Sequence, residues 1–451
     1  MINNVADDDS SLEDEDVRSN RHAIRLFGIG ENSVLSLYFL NDNDVQDEDE
    51  DETLQQHRVS TREPKWIHLR LCWESHVAVL VHENLFGRTY RMSVDAFRNL
   101  RDLLGESIYL QAHRTPVPEP IYPELVMAVG IRYLSGGKCL DLKNAYGLSL
   151  PSVYRTRDIF IDAVNSCPDL IDRIKLPQTL EEMAAVARGF EEHSTSQLIR
   201  GCIGCIDGFL AVTRRPTMKD SNNNPGVFFS GHYGMYGLNV QAVCDRQSRF
   251  LFFGVVAPGK CGDQVAFERT PLYDYVQNVP PGYYLIGDAA YTVGESLLTP
   301  FTGGHRNDPI KDAYNFFLSQ LRIRIEMAFG LLTNKWRVLN APLQTSLARS
   351  SNILMACARL HNYCIDMNDQ HSGEPYYDNS AVISCLQRMP PQRHAPLGWP
   401  FLPTVETYCP PIRGTSMTRD MILRRVKQRG MRRPNANLER RRYELHEIGL
   451  M

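Results

Sequence analysis

The chain has 451 residues, of which 43% are hydrophobic and 23% are charged, and this length is enough for two or three domains with sizeable cores. It contains no run of about 18 apolar residues, and acidic residues stand where a signal peptide has basic ones. We therefore expect neither a membrane span nor a secretion signal. The 11 cysteines are an odd number spread along the chain, which favours reduced thiols over a disulfide framework.

Charge is distributed unevenly along the chain. Residues 1–62 hold 16 Asp and Glu against 5 Arg, a net charge of -11, while the remaining residues carry +7. Such acidic blocks repel themselves and bury little apolar surface, so we expect a disordered tail over 1–62. Residues 366–451 are predicted to form a Pro-rich and basic extension. Within it, 413–442 hold 11 Arg and Lys against two acids, which indicates a surface for anionic partners; a merely solvated tail is the alternative.

Residues 65–185 have the pattern of a helical region. Apolar residues recur at helical spacing over 91–106, and Ser93 is the predicted N-cap of that helix. A second helix is predicted over 123–137, because proline stands at its start and two glycines stand at its end.

The pattern over 139–165 predicts a short helix, a turn at Gly147 and a longer helix. Together with the preceding helix, residues 123–165 have the outline of a helix-turn-helix. In that arrangement Ser152, Tyr154, Arg155 and Arg157 are placed to meet DNA. A helical bundle with an ordinary core is the alternative, because one sequence does not show which helix face contacts a ligand.

Residues 198–365 change in character. Four segments have apolar patterns without a helical period, and they are 198–213, 236–245, 249–259 and 282–291. Helices are predicted over 262–278, with Asp263 as N-cap, and over 314–339. The order of strand, hairpin, helix, strand and helix predicts an α/β fold with a mixed sheet and flanking helices.

Cys202 and Cys205 have the spacing of a redox or zinc motif. In a strand, residues three apart point to opposite faces, so we expect these thiols neither to share a metal nor to form a disulfide. No second pair at zinc spacing accompanies them. We interpret both as small core residues.

Asp207 and Asp288 each follow a run of apolar strand residues. A carboxylate beside a buried strand is costly unless it is paired or binds a cation. Two of them on neighbouring strands are therefore candidates for a divalent-metal site built from oxygen ligands. Glu326, one position off the apolar stripe of the last predicted helix, is a candidate third ligand. For Glu326 alone, a surface ion pair with Arg322 is the alternative.

Five stretches together resemble the PIF/Harbinger superfamily of DDE transposases, which includes domesticated Harbinger transposase-derived nucleases. They are IGCIDGFLAV, YGLNVQAVCDRQSRFLFFGVVAPGKCGDQVAF, YYLIGDAAY, YNFFLSQLRIRIEMAFGLLTNKWRVL and ARLHNYCID, and the resemblance covers about 90–365. The family pattern of the long helix is matched by Asn315, Ser319, Arg322, Glu326, Phe329 and Gly330. The "PG…D" element is matched by Pro258, Gly259 and Asp263.

Two features depart from the family pattern, and both concern DNA contacts more than metal binding. Thr333 stands near the place of a common lysine, with Lys335 following, and the Gly-rich 228–237 is less basic than usual. We predict Arg322 and Lys335 as further DNA contacts.

The resemblance implies an RNase H-like catalytic core that follows the helical, helix-turn-helix-like domain. It also implies that Asp207, Asp288 and Glu326 are the catalytic metal ligands for Mg²⁺ (or Mn²⁺). The implied activity is a two-metal endonuclease and transposase that cleaves DNA phosphodiester bonds and joins strands. The alternative is a domesticated module that binds DNA or chromatin without nuclease activity.

The resemblance also implies partners and a place of action. DNA is the expected partner, as transposon ends and as target. A Myb/SANT-like protein and further copies of the chain are additional expected partners. The expected location is the nucleus.

Overall fold

The computed structural model describes residues 70–109, 121–304, 308–371 and 416–434, except the side chains of 368–371. The acidic segment 1–62 and most of the extension 366–451 lie outside this part of the chain, so the expectations for them stay predictions. No helix in the described part is long and apolar enough to cross a membrane.

The described chain begins with helices. They are α1 (Trp73–His82), α2 (Phe86–Tyr90), α3 (Val94–Leu104), α4 (Pro123–Leu134), α5 (Cys139–Tyr146), α6 (Leu150–Ser166), α7 (Pro168–Ile171) and α8 (Leu180–His193). Ser93 caps α3 by accepting a bond from the Ala96 amide at 3.1 Å, as predicted. Gly147 ends α5 in the left-handed region with φ of 60°, which confirms the predicted turn. The helix-turn-helix role of this region stays a prediction.

A mixed sheet follows. Its strands are β1 (Cys202–Val212), β2 (Phe229–Ser230), β3 (Met235–Cys244), β4 (Phe250–Pro258), β5 (Tyr284–Ile286) and β6 (Leu297–Leu298). Central β1 pairs antiparallel with β3 and parallel with β5. β4 joins β3 antiparallel, and β6 joins β5 parallel. This confirms the predicted α/β class and is consistent with an RNase H-like core.

Helices cover both faces of the sheet. Those after β4 are α9 (Asp263–Glu268), α10 (Pro271–Gln277), α11 (Pro309–Lys335), α12 (Leu347–His371) and α13 (Met417–Gln428). On one face, Cys205 of β1 packs in the same core as Leu321 of α11. On the other face, Ile206 packs with Met183 of α8 and Phe267 of α9. The strand therefore carries alternate side chains into two helical layers.

The predicted helix over 262–278 is two helices. Thr270 is extended, with φ of -100° and ψ of 154°, and Pro271 begins α10. A proline disfavours helical backbone in the residue before it and lacks an amide to donate, so the chain restarts there. The predicted N-cap was also wrong: the cap residue is Gly262, and Asp263 is the first residue of α9.

The opposite-face prediction for Cys202 and Cys205 was wrong as well. The pairing of β1 with β5 is irregular between Cys202 and Gly204. A bulge shifts the alternation by one residue, and both thiols lie in the core on the α11 face. Burial is the main cause that raises the pKa of the Cys205 thiol, and the neighbouring Cys202 thiol is the second. All described cysteines are free, which agrees with the predicted reduced core thiols.

Helix α12 joins the helical region to the sheet. The Asn362 side chain accepts from the Phe250 amide at 2.8 Å and donates to the Phe250 carbonyl at 2.8 Å, so it pairs with β4 as a neighbouring strand does. The same amide donates to the Arg173 carbonyl at 2.7 Å, beyond α7. Tyr363 donates to the Ala96 carbonyl in α3 at 2.6 Å. Part of the ARLHNYCID stretch is therefore a structural joint.

The basic helix α13 is docked on α11. Arg433 forms an ion pair with Asp312 of α11 at 3.0 Å. Glu295, before β6, accepts the Met417 and Thr418 amides at 2.6 and 3.1 Å, which places an acidic group at the helix N-terminus. Residues 416–434 of the predicted basic tail are thus a folded element.

We predict that His361 makes the fold sensitive to acid. His361 is 2% exposed, and its Nε2 lies 2.8 Å from the Ser248 carbonyl. Burial lowers the pKa of His361 from 6.5 to about 4, although the hydrogen bond to Ser248 opposes this shift. The unfolded chain therefore takes up a proton first, and stability falls by about 2 kcal/mol from about pH 7.5 to about pH 5.

Urea unfolding at both pH values, on the chain and on His361→Gln, measures this. The variant should lose less stability on acidification. Equal losses in the two proteins would show that another group causes the effect.

Candidate active site

Two predicted carboxylates lie at the same end of the sheet because their strands are parallel. The last β1–β5 pair is Cys205 with Ile286. Asp207 is two residues further along β1, which continues alone on that side, and Asp288 is two residues past β5. The end of β5 thus opens a gap beside β1 in which both carboxylates lie.

Helix α11 brings the third carboxylate to this gap. Arg322 and Glu326 are one helical turn apart on α11, and their Nη2 and Oε1 atoms are 2.7 Å apart. The other nitrogen of Arg322, Nη1, lies 3.7 Å from Oδ2 of Asp207. The predicted surface ion pair therefore exists, and the same guanidinium also joins the helix to the central strand.

The site concentrates negative charge with limited solvent. Burial first, then the nearby Asp288 charge, raises the pKa of Asp207 to about 7, although Arg322 opposes the shift. Burial also raises the pKa of Asp288, and the charges of Asp263 and Glu326 add to the effect. Like charges close together in a poorly solvated place disfavour ionisation. The three predicted residues are therefore near enough to act on one another.

The chemistry of these side chains fits a hard divalent cation. All three offer carboxylate oxygens, the ligands that Mg²⁺ takes. In the described residues, no group of three His, Cys, Asp or Glu is already spaced to hold a metal. A guanidinium instead bridges two of the carboxylates, Asp207 and Glu326. The arrangement thus holds a positive charge where the prediction places a metal ion.

A fourth acid lies beside the site, and sequence reasoning did not include it among the site residues. Asp263 Oδ1 accepts bonds from Asn239 Nδ2 and Gln241 Nε2, each at 3.1 Å. A Cβ on Gly208 would lie 2.1 Å from that oxygen. Only glycine next to Asp207 permits this approach. Two polar residues inside the apolar β3 pattern were the available signal.

The predicted DNA contacts do not gather around the carboxylates. Arg155 is exposed on α6. Arg157 is 7% exposed, donates to Asp158 at 2.8 Å and lies 5.1 Å from the centre of the Tyr133 ring. That burial leaves little of Arg157 for a phosphate, so its position does not support the DNA prediction. Of the four predicted contacts, Arg322 lies at the carboxylate site.

Lys335 faces away from the site. It is 7% exposed and lines a cavity of about 310 Å³ with Arg88 and Arg91 of the helical region and Cys364 of α12. It lies nine residues from Glu326 along α11, on the side that packs on the protein interior. A direct contact with DNA at the carboxylates does not fit this position.

Residues 206–362 match the family model described as DDE superfamily endonuclease. These residues form a DDE superfamily endonuclease domain. The match includes Asp207, Asp288 and Glu326, and it ends in α12. The resemblance drawn from the motifs is thereby confirmed.

The chain is homologous to curated proteins of plants and animals. It is 26% identical to "Protein ALP1-like" of Arabidopsis thaliana over 260 residues, which are 54% of this chain and 61% of that protein. It is 26% identical to "Putative nuclease HARBI1" of Bos taurus over 276 residues, 59% of this chain and 73% of that protein. The human protein of that name is 24% identical over the same shares. No solved structure matches the chain.

We predict that Asp207→Asn stabilises the metal-free protein. The folded pKa of Asp207 is raised from 3.8 to about 7, so the charged form costs stability above pH 7, and this cost disappears as pH falls toward 3.8. The Asp207 side chain is 20% exposed, so solvent screens part of the charge interactions. The expected gain in the free energy of unfolding is therefore about 2 kcal/mol at about pH 8.

Urea unfolding in a metal chelator, at about pH 8 and about pH 5, measures this gain. It should shrink at the lower pH. An Asp207→Asn protein that is less stable than the unchanged chain at the higher pH would contradict the account.

Proposed function

We propose that the protein is a metal-dependent DNA endonuclease of the DDE type. The observation that carries the proposal is the meeting of Asp207, Asp288 and Glu326 at one end of the sheet, inside a DDE superfamily endonuclease domain. Names of relatives such as "Putative nuclease HARBI1" support the same reaction class. Joining of the cleaved strand to a second DNA is part of the proposal.

Each carboxylate has a distinct task in this proposal. Asp207, on the central strand β1, would hold the cation together with Asp288 and Glu326. Asp288 and Glu326 approach it from the β5 turn and from α11. A bound Mg²⁺ or Mn²⁺ supplies Lewis-acid polarisation of the phosphate and a more acidic attacking water. The interior of a strand, the short turn after β5 and the interior of a long helix thus fix the three ligands.

Arg322 has two tasks in the same proposal. Before metal binds, its guanidinium offsets part of the repulsion between Asp207 and Glu326. A cation held by the carboxylates would take over this role at Asp207, and the pair with Glu326 would keep the guanidinium at the site. A planar guanidinium forms paired bonds to phosphate oxygens, so Arg322 then orients the DNA backbone.

The basic helix α13 is the proposed phosphate-binding surface outside the site. Docking on α11 leaves Arg424 and Lys427 of the helix, and Arg432 just beyond its end, exposed. Clustered cations of this kind attract phosphates without reading sequence. We also propose action in the nucleus, on transposon-end and target DNA, with a Myb/SANT-like protein and further copies of the chain as partners.

Loss of one site carboxylate should abolish cleavage and keep DNA binding. We expect Asp207→Asn and Glu326→Gln each to lower Mg²⁺-dependent nicking of plasmid DNA by at least about a hundredfold, because each removes a charged ligand with little change of shape. Agarose-gel nicking assays and filter binding measure the two properties. Asp274→Asn, an exposed acid on α10, is the control.

The same assays decide between the endonuclease and the DNA-binding module. Equal nicking by Asp207→Asn and by the unchanged chain would reject the assigned site. Tight DNA binding by an unchanged chain that nicks no DNA with Mg²⁺ or Mn²⁺ would favour the module.

Phosphate contacts by α13 should appear in the salt dependence of binding. The triple change of Arg424, Lys427 and Arg432 to Ala should reduce the slope of log affinity against log salt by about 2 to 3, since each lost contact removes roughly 0.9. Arg98→Ala, an exposed arginine of α3, should leave the slope unchanged. An unchanged slope in the triple variant would remove α13 from the DNA surface.

A further inference from the structure

A hydrogen-bond network of buried polar side chains lies on the sheet face opposite to Arg322. Gln241 is 0% exposed and Asn239 is 7% exposed. Gln241 donates to Asp263 at 3.1 Å and to Asn239 Oδ1 at 2.9 Å, and it accepts from the Tyr291 hydroxyl at 2.7 Å. Both N–H donors of this amide and its oxygen therefore have hydrogen-bond partners, as expected for a buried polar group.

The carboxylate of Asp263 sets the donor and acceptor directions in this hydrogen-bond network. An ionised carboxylate only accepts hydrogen bonds, so Gln241 must turn its nitrogen toward Asp263 and its oxygen toward Tyr291. Tyr291 must then donate its proton. Asn239 is oriented in the same way, since its nitrogen faces two acceptors, Asp263 and the Cys261 carbonyl at 3.1 Å.

Tyr291 ends the turn that carries Asp288. A Cβ on Gly287 would lie 2.9 Å from the Tyr291 ring, so the ring packs directly against the residue before Asp288. Within the turn, Asp288 Oδ1 accepts from the Ala290 amide at 2.8 Å. The turn therefore moves with the Tyr291 ring, and the ring is held at its hydroxyl.

Helix α9 holds the same turn a second time. Gln264, next to Asp263, accepts from the Thr292 amide at 2.8 Å. The first two residues of α9 thus reach the Asp288 turn by two routes, one direct and one through Gln241 and Tyr291. Gly208 is what allows α9 to approach β1 this closely.

We propose that Asp263, acting through Gln241 and Tyr291, is a positioning residue that fixes the Asp288 carboxylate for cation binding. The proposal rests on the proposed function and adds residues to it. Charge-assisted hydrogen bonds are about twice as strong as neutral ones, so the ionised Asp263 anchors the hydrogen-bond network better than a neutral group of the same shape. Outer partners that orient ligands in this way affect metal affinity without touching the metal.

Mn²⁺ binding to the full chain, measured by calorimetry, tests the proposal without any cleavage assay. Tyr291→Phe and Asp263→Asn should each weaken Mn²⁺ affinity by about tenfold, the lower end of the usual effect of such partners. The double variant should lose no more Mn²⁺ affinity than either single variant, because both changes interrupt the same hydrogen-bond network. Both substitutions preserve shape, and if one variant fails to fold, the other still provides the test.

Tyr275→Phe is the matched control. Its hydroxyl donates to the Pro177 carbonyl at 2.7 Å from neighbouring α10, so the change removes a similar bond that does not hold the Asp288 turn. It should cost stability comparable to Tyr291→Phe and leave Mn²⁺ affinity unchanged. A merely structural role would give the two tyrosine variants the same Mn²⁺ affinity.

The outcomes separate the two proposals. If Asp207→Asn loses Mn²⁺ while Tyr291→Phe and Asp263→Asn bind it as the unchanged chain does, the positioning role is overturned and the nuclease site stands. If the unchanged chain binds no Mn²⁺, the proposed function fails and the positioning role fails with it.

Discussion

Repulsion among buried carboxylates is the constraint on which the rest of this site depends. Asp207 and Asp288 are brought together by parallel strands, and burial raises the pKa of both. Arg322 offsets only part of the repulsion, at 3.7 Å from Asp207. A surface that only needed to bind a partner would gain nothing from this cost. A cation site does, because the same charges that destabilise the empty arrangement bind the ion.

The two faces of β1 divide the work of building the site. On one face, α11 supplies Glu326 and Arg322 from the same helix that packs the core. On the other face, Asp263 and its hydrogen-bond partners hold the turn after β5. Rigid elements on both sides are what a site of this precision needs. Helix α12 then joins this assembly to the helical region, so the site and the helical region share one core.

The sequence predicted the two strand carboxylates and the α/β class, because apolar runs that meet an acid are a local signal, although Asp207 lies inside β1 and not at its end. The bulge at Cys202 depends on strand pairing, which the local pattern of apolar residues does not show. The break before Pro271 depends on a single residue inside a segment whose overall pattern is helical. Burial of Arg157 and Lys335 was not predictable, since a charged residue on a helical pattern does not show which neighbours cover it. The role of Asp263 depends on α9 approaching Gly208, which is a contact between distant segments.

The most direct measurement is a crystal structure of the protein soaked with Mn²⁺, with the ions located by anomalous scattering. The account predicts Mn²⁺ bound by carboxylate oxygens of Asp207, Asp288 and Glu326, with the Arg322 guanidinium moved away from Asp207. It would be contradicted by Mn²⁺ bound only elsewhere, with Arg322 still bridging Asp207 and Glu326.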